Sequence, residues 1–408
     1  MSVTKYELRI HLFARGAQLI SHGPWCSTLD KLNSRSAPGW RNRLWRNPGP
    51  CRQVFMRISS ILLSPWYALQ LASGAKSFAD NPIIGSKWLN RKGLHEKRVS
   101  LAMRMAAWRR KKLENLVAPD HRRQYAENGF VKIENFLSPD VFAAVTREIA
   151  ERDFERYDML QGETVTRRAI IDDSDLESLP GFKAARNDPR VSNLLRYVSS
   201  HAGQPLLVVQ VVMALPSVIT QGSTDPQTAL HSDTFQPTAK AWLFLRDVGE
   251  EDGPFAYVPG SHEMTPQRLA WERDISENAD AIENKYSARG SLRIMPDELT
   301  ALGYGQPVKM TVKANTLVVA DTHGFHARSP SYKTTTRIEI YGSLRRNPFL
   351  PFTGLHIASL PFIASGMNRL IISAMGFRAK LGLKGSPWKD AGQGKADEWS
   401  KRLKQPSA

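Results

Sequence analysis

The sequence predicts a mixed, β-rich fold, a β-sandwich or jelly roll with flanking helices and a basic, partly disordered N-terminal extension. Three observations support this prediction. Short β-branched runs separated by Gly, Pro and Asp turns recur after residue 205, which favours an antiparallel core over a parallel α/β sheet. Helical patterns precede these runs. The first part of the chain is strongly basic and contains the loop-forming pairs Pro38-Gly39 and Asn47-Pro48.

The formal net charge of the 408-residue chain is +17, and nearly all of this excess of positive charge lies in its N-terminal part. Residues 1–117 hold 21 Lys and Arg against 5 Asp and Glu, whereas the remaining residues hold 35 against 34. Because nucleic-acid-binding proteins usually carry this charge across the folded binding surface, no nucleic-acid partner is expected. Peripheral contact of the basic region with an anionic membrane surface stays an alternative. With only Cys26 and Cys51, a disulfide framework or thiolate-rich metal cluster is excluded.

Four regions are predicted along the chain. Residues 1–56 form a basic, disordered leader, with Met56 as an alternative start, and residues 57–119 form a helical basic extension. The β-rich domain covers residues 120–348, and residues 349–408 form a C-terminal extension. No run reaches the roughly 18 apolar residues that a membrane-spanning helix needs. Because the first stretch also lacks the apolar core of a secretory signal, a cytoplasmic location is expected.

The helical elements come first in this scheme. A helix over Val99–Val117 contains the run Arg109–Lys112, which is interpreted as a solvated helix face. Ser138 and Pro139 form an N-cap and first-turn pair that opens a second helix. Thr265–Tyr286 is a polar, helical insertion among the strands, where a β-scaffold enzyme would carry a lid or substrate loop. The predicted strands are Phe130–Ile133, Leu206–Leu215, Lys240–Leu245, Phe255–Val258, Leu292–Met295, Val308–Val312, Thr316–Ala320 and Thr336–Ser343.

The segment His231-Ser232-Asp233 is a candidate metal site. Residues two apart in an extended chain project from the same face, so the imidazole and the carboxylate can point toward one ion. A histidine from a distant strand would complete a set of two His and one carboxylate, which leaves adjacent positions open on a six-coordinate iron. His323 and His326 both follow the predicted strand Thr316–Ala320, and either one can supply this ligand.

An arginine stands near the second half of this constellation. Arg337 follows His326 by eleven residues, inside the strand-like segment Thr336–Tyr341. A guanidinium on an adjacent strand can form a bidentate pair with the distal carboxylate of a bound dicarboxylic acid, whose other end chelates the metal. The sequence therefore offers metal ligands and a cationic anchor for an acidic cosubstrate.

In these segments the chain resembles the phytanoyl-CoA dioxygenase family of Fe(II)/2-oxoglutarate oxygenases, over roughly residues 120–348. The segments that carry the resemblance, in the family's order, are Asn128–Leu137, His231–Asp233, Gly253–His262, Phe325-His326 and Arg337. The family's frequent Asn after the distal histidine is absent, and Ala327–Ser331 stands in its place. The interval of eleven residues to Arg337 fits the family and selects His326 over His323.

The resemblance implies a double-stranded β-helix core, iron ligated by His231, Asp233 and His326, and 2-oxoglutarate held by Arg337. Trp242 stands where the family often places an aromatic side chain beside the cosubstrate. The implied activity is that of a 2-oxoglutarate-dependent dioxygenase. With Fe(II), 2-oxoglutarate and O₂ it would hydroxylate a small or lipid-like organic substrate and release succinate and CO₂.

Several alternatives stay open at this point. Trp242 also fits a plain core position, and Gln210 within the apolar run Leu206–Leu215 could bond the cosubstrate or the substrate, or pair with a core backbone group. His262 is expected to fix a turn by hydrogen bonds, while Arg328 fits a contact with the cosubstrate or an acidic substrate, or a surface role. The whole β-scaffold could instead be a non-catalytic, cupin-like metal-binding sensor. Substrate selectivity is assigned to loops, here Ser217–Thr228, Thr265–Leu292 and the tail after Pro348.

Overall fold

The computed structural model describes residues 64–216, 225–354 and 386–403, with a few isolated positions between 366 and 377. The predicted leader and most of the loop Ser217–Thr228 lie outside the described residues, as does much of the C-terminal extension. The chain divides into two compact units after residue 72, and helix α1 (Ser64–Leu71) belongs to the first. Among the described residues, no helix has the length and apolar character needed to span a membrane.

The described strands of the second unit form two antiparallel sheets, so the predicted mixed, β-rich class is confirmed. The larger sheet has the order β1-β8-β5-β10-β4-β3-β2-β11, and the smaller has the order β7-β6-β9. The strands are β1 (Phe130–Ile133), β2 (Asp153–Gln161), β3 (Thr164–Ala169), β4 (Leu206–Ala214), β5 (Ala239–Phe244), β6 (Phe255–Tyr257), β7 (Val308–Lys309), β8 (Thr316–Asp321), β9 (His326–Arg328), β10 (Thr335–Leu344) and β11 (Lys389–Lys395).

Helices precede the sheets and connect their strands. Proline occupies the first turn of most of them, where its missing N–H costs nothing. The described helices of the second unit are α2 (Lys87–Arg91), α3 (Leu94–Lys112), α4 (Pro119–Asn128), α5 (Pro139–Glu151), α6 (Pro180–Asn187), α7 (Pro189–Ser199), α8 (Pro266–Glu277) and α9 (Pro296–Ala301). The helix predicted after Ser138 is α5, although the Ser138 side chain makes no capping hydrogen bond. The helical insertion is confirmed as α8, which the Thr265 side chain caps.

Alternation along the strands separates two apolar clusters and determines which side chains face the site. In β4, Leu207, Val209 and Val211 pack in the larger cluster, which includes residues of the helices. Val208 points the opposite way, into a cluster built from both sheets, together with Trp242. Since side chains alternate along a strand, Gln210 shares the face of Val208. The space between the two sheets is therefore lined partly by polar side chains.

Some predicted elements were wrong or missed. Leu292–Met295 is not a strand: Arg293 makes a single bridge with His231, and Met295 is the N-cap of α9. Val308–Val312 contributes only the two-residue strand β7. Strands β2 and β3 were missed because their buried positions include charged residues. Arg167 Nε lies 2.8 Å from Asp158 Oδ1, and both side chains are at most 2% exposed, so the apolar alternation of a strand is hidden.

The interpretation of the basic run in α3 as a solvated face is wrong for two of its four residues. Arg109 is 2% exposed and donates hydrogen bonds to the carbonyl groups of Ser200 and Pro348, each at 3.0 Å. Arg110 lies over the Tyr125 ring, 4.8 Å from its centroid. Only the Lys111 and Lys112 side chains are exposed. Half of the charge in this run therefore serves packing inside the fold.

Candidate metal centre

Backbone pairing places His231 and His326 opposite each other. The His231 N–H donates to the His326 carbonyl at 3.0 Å, and the reciprocal bond has the same length. Such a pair exchanges both hydrogen bonds of an antiparallel ladder, and its side chains lie on the same face. The two imidazole rings are 4.5 Å apart between centroids. The segment around His231 thus extends the smaller sheet beyond β9.

Asp233 completes a group of three possible metal ligands. Its N–H donates to the Thr322 carbonyl at 2.9 Å, which ties the His231–Asp233 segment to the loop before His326. Asp233 Oδ1 lies 3.7 Å from His231 Nε2 and 3.8 Å from His326 Nε2. One ligand atom from each residue lies within 4.8 Å of the others, so the triad could hold a metal ion.

The hydrogen bonds of both histidines fix the tautomer that a metal requires. His231 Nδ1 lies 2.8 Å from the Ala229 carbonyl, and His326 Nδ1 lies 2.9 Å from the Gly324 carbonyl. Because a carbonyl only accepts, each Nδ1 carries the proton and each Nε2 keeps its lone pair toward Asp233. This arrangement is the one that metal-ligating histidines adopt.

Burial keeps these ligands in their metal-binding charge states. It lowers the pKa of His326 to about 4 and the pKa of His231 well below its ordinary value. Burial alone would raise the pKa of Asp233, but Lys240 and the two histidines reverse this effect and hold it below its usual range. At neutral pH the site therefore offers two neutral imidazoles and one carboxylate. This donor set fits a divalent ion of mixed nitrogen and oxygen preference, such as Fe(II).

Two lysines around Asp233 were missed by the sequence reasoning. Lys240 Nζ lies 2.5 Å from Asp233 Oδ2, so the carboxylate oxygen that faces away from the histidines is neutralised by the protein. Lys76 donates from Nζ to the Asp233 backbone carbonyl. No local signal marks either residue, because Lys240 resembles any strand residue and Lys76 lies far away in the sequence.

A cavity of about 190 Å³ opens beside the two histidines and brings the other predicted site residues together. Arg337, Trp242 and Gln210 all line it. Arg337 is 7% exposed and donates from one terminal nitrogen to the Gly253 carbonyl, while its buried Nε has no hydrogen-bond partner among the described residues. An unsatisfied guanidinium in a cavity beside a possible metal site fits an acidic ligand such as 2-oxoglutarate.

Two of these residues also have protein partners. Gln210 Nε2 donates to Glu339 Oε1 at 2.7 Å, so its partner is a carboxylate and not the core backbone group considered from the sequence. Trp242 packs against Phe255, with 4.5 Å between ring centroids, and is 9% exposed. Trp242 is therefore both a core residue and part of the cavity wall.

The remaining candidates have structural surroundings. His323 Nδ1 lies 2.9 Å from the Thr234 carbonyl, which connects the two segments that carry the triad. The turn-fixing hydrogen bonds expected for His262 are not found among the described residues: neither ring nitrogen makes a hydrogen bond there, Nε2 lies 3.3 Å from Glu263 Oε1, and the ring packs against Tyr125. Arg328 lines the 190 Å³ cavity and pairs with Asp225 at 2.5 Å, so it is not a simple surface residue.

The comparison with protein families confirms the resemblance seen in the sequence. Residues 125–327 match the family model of phytanoyl-CoA dioxygenase (PhyH), and this part of the chain belongs to that family. The match includes all three residues of the triad and ends before Arg337. Membership supports a dioxygenase-type function for the protein. No curated protein matches the chain in sequence.

Similar solved structures are distant. HygX from Streptomyces hygroscopicus with nickel and 2-oxoglutarate bound is 17% identical, over 56% of this chain and 86% of that chain, with a TM-score of 0.36. AviO1 from Streptomyces viridochromogenes Tue57 is 14% identical, over 57% of this chain and 96% of that chain, with a TM-score of 0.34. The carbocyclase SnoK from nogalamycin biosynthesis is 20% identical, over 57% of this chain and 84% of that chain, also with a TM-score of 0.34. Likenesses at this level carry no argument about ligands or activity.

Proposed function

We propose that the protein is an Fe(II)/2-oxoglutarate-dependent dioxygenase that hydroxylates a small or lipid-like organic substrate. The two sheets would be the two faces of a double-stranded β-helix, and residues 120–348 would form the catalytic domain between extensions at either end. The observation that carries the proposal is the convergence of His231 Nε2, His326 Nε2 and Asp233 Oδ1, with both imidazoles held in the metal-binding tautomer.

Each residue of the site has a proposed role. His231, Asp233 and His326 would ligate Fe(II), and Lys240 would orient Asp233 by holding its second oxygen. Arg337 would bind the distal carboxylate of 2-oxoglutarate with the Nε that has no partner among the described residues.

The cavity walls would supply orientation and exclude water. Trp242 and Phe255 form an apolar side of the 190 Å³ cavity, which limits access of water to the bound cosubstrate. Gln210 and Glu339 fix each other on the neighbouring strands β4 and β10. When bound, Fe(II) with 2-oxoglutarate would activate O₂ and provide the oxidation, with release of succinate and CO₂.

The test of this proposal is an absorption measurement without O₂. Anaerobic addition of Fe(II) and 2-oxoglutarate is expected to produce a weak metal-to-ligand band that disappears in His231→Ala and in Asp233→Ala. The matched control His121→Ala, outside the site, should keep the band. Retention of the band in both site variants would refute the ligand assignment.

A cupin-like sensor without catalysis is the second candidate, since a triad of this kind can bind metal without turnover. Arg337 argues against it, because a buried guanidinium nitrogen with no partner in the described chain has no use in a site that takes a metal alone. Succinate formation by the iron-loaded protein in air separates the two candidates. The sensor would produce none under any substrate mixture.

A further inference from the structure

A second and larger cavity, of about 950 Å³, also adjoins the metal centre. Asp233 lines this cavity, whereas His231 and His326 line the smaller one. Arg168, Lys240 and Tyr341 line both. The two cavities therefore share part of their lining next to the triad.

The lining of the larger cavity has an excess of positive charge. It contains six basic residues, Lys76, Arg168, Arg186, Lys240, Arg345 and Arg346, against the three acids Asp172, Asp173 and Asp233. Two of the acids already have partners there, since Arg186 lies 2.5 Å from Asp173 and Lys240 lies 2.5 Å from Asp233. Asp172 pairs with Arg369 at 3.4 Å. The acids therefore neutralise only part of the basic lining.

Four cations of this lining have no carboxylate within ion-pair distance in the part of the chain that the structure describes: Lys76, Arg168, Arg345 and Arg346. Arg346 is 4% exposed, and its Nε and Nη2 are buried without a hydrogen-bond partner there. Arg168 also has a buried Nε without such a partner. Buried cationic donors are costly when unpaired, and the exposed Arg345 belongs to the same lining, so the cluster favours an incoming anion.

The same cavity has an apolar side. Ile171, Leu206, Leu207 and Leu344 line it together with Pro205. A volume of about 950 Å³ lies at the upper end of the range of roughly 300–1,000 Å³ for small-molecule sites. The lining thus combines a cationic region beside Asp233 with an apolar wall large enough for a hydrocarbon body.

We propose that this cavity is the substrate site and that it selects an amphipathic anion. Lys76 and Arg345 would hold a carboxylate or phosphate group, and the leucine side would cover the apolar body. Calling the occupant the substrate rests on the proposed function, whereas the binding of an amphipathic anion does not. The proposal narrows the open substrate class to acids with an apolar part and excludes neutral lipids.

The test uses a matched pair of fluorescent probes on the full chain without metal. The anion 8-anilinonaphthalene-1-sulfonate and the neutral N-phenyl-1-naphthylamine have the same aromatic body and differ by the sulfonate. Fluorescence titration is expected to show at least tenfold tighter binding of the anion. Decanoate or decyl phosphate should displace the bound anion, and which of them does so identifies the head group, whereas 1-decanol should not. Equal binding of the two probes, or equal displacement by decanol, would overturn the proposal.

Two variants locate the binding. Arg345→Gln and Lys76→Gln are each expected to weaken binding of the anionic probe at least tenfold. Arg123→Gln and Lys333→Gln, at side chains 69% and 56% exposed outside this cavity, should change it less than twofold. Arg345 is exposed, so its replacement leaves the fold intact even if Lys76→Gln does not. Unchanged affinity in Arg345→Gln would refute the site.

The probe titration contains neither metal nor cosubstrate. Failure of probe binding therefore cannot be mistaken for failure of the metal centre. A protein that shows the Fe(II)–2-oxoglutarate band but binds both probes equally would keep the proposed function and lose the substrate class. A protein that binds the anion selectively but lacks the band would keep the site for an amphipathic anion and lose the proposed dioxygenase function.

Discussion

Lys240 binds one oxygen of the Asp233 carboxylate and leaves the other to the metal site. Lys240 Nζ lies 2.5 Å from Oδ2, while Oδ1 faces the Nε2 atoms of the two histidines. The lysine comes from β5 and the acid from the segment that pairs with β9. This ion pair fixes the rotation of the carboxylate before any metal arrives. It also supplies the counter-charge that the carboxylate needs in the absence of a metal ion.

We expect Lys240→Met to destabilise the metal-free protein more than the metal-loaded one. The side chains of Lys240 and Asp233 are 25% and 26% exposed. The expected loss of unfolding free energy therefore lies between that of a surface ion pair and that of a buried one, about 1–3 kcal/mol. Bound Fe(II) would replace the missing positive charge and reduce the loss. Thermal unfolding with and without anaerobic Fe(II) measures both values, with Lys333→Met as the control. Equal losses in the two states would contradict the counter-charge role.

Arg337→Met is expected to raise the 2-oxoglutarate concentration needed for the absorption band by at least 100-fold. The physical reason is the scale of roughly 3–5 kcal/mol for breaking a buried charge pair. Arg328→Met is the matched comparison, because Arg328 lines the same cavity but is already paired with Asp225. We expect less than a tenfold change there. A larger effect at Arg328 than at Arg337 would indicate that Arg328, and not Arg337, binds the distal carboxylate of 2-oxoglutarate.

The stability of the metal-free protein should fall as the pH drops below 6.5. Burial lowers the pKa of His262 and of His323 from 6.5 to about 3, so between these values the unfolded chain binds more protons than the folded protein. The stabilising contribution is complete above pH 6.5 and is lost toward pH 3. His262→Phe should reduce the slope by up to about 1.4 kcal/mol per pH unit. Urea unfolding at pH 7 and pH 5 gives the slopes, and identical slopes would count against this account.

Gly324→Ala is expected to weaken metal binding at least tenfold. A Cβ at this position would lie 1.9 Å from Tyr257 Oη, which donates a 2.7 Å hydrogen bond to the Asp321 carbonyl. The loop would have to move, and His326, whose Nδ1 is bonded to the Gly324 carbonyl, would move with it. Gly305→Ala is the control, because a Cβ there meets nothing within 4 Å. Calorimetric titration with Fe(II) under nitrogen measures the affinities, and equal affinities would exclude this coupling.

The triad could be found in the sequence because its signal is local or ordered along the chain. His231 and Asp233 are two residues apart, and both His323 and His326 follow a strongly apolar strand. The resemblance to the family, through the interval of eleven residues to Arg337, selected His326. The structure brings them within 4.8 Å of one another. Their roles in catalysis stay predictions, as do those of Arg337 and Trp242.

What the sequence could not provide depends on contacts between distant residues. The pairing of Lys240 with Asp233 follows from the return path of the chain into β5, which no local pattern encodes. Strand β11 is a Gly- and Lys-containing segment with no apolar alternation, and only its pairing with β2 makes it a strand. Tertiary contacts override local preference in both cases.

The buried guanidinium of Arg109 limits how far the protein can be shortened. The side chain joins helix α3 to the turn after α7 and to the segment that follows β10, through the carbonyl groups of Ser200, Pro348 and Leu350. A fragment trimmed to the family match, residues 125–327, would lose Arg109 together with Pro348 and Leu350, and the Ser200 carbonyl would lose this donor. We therefore expect a fragment that begins ahead of α3 and extends past Leu350 to be more stable than one trimmed to the family match.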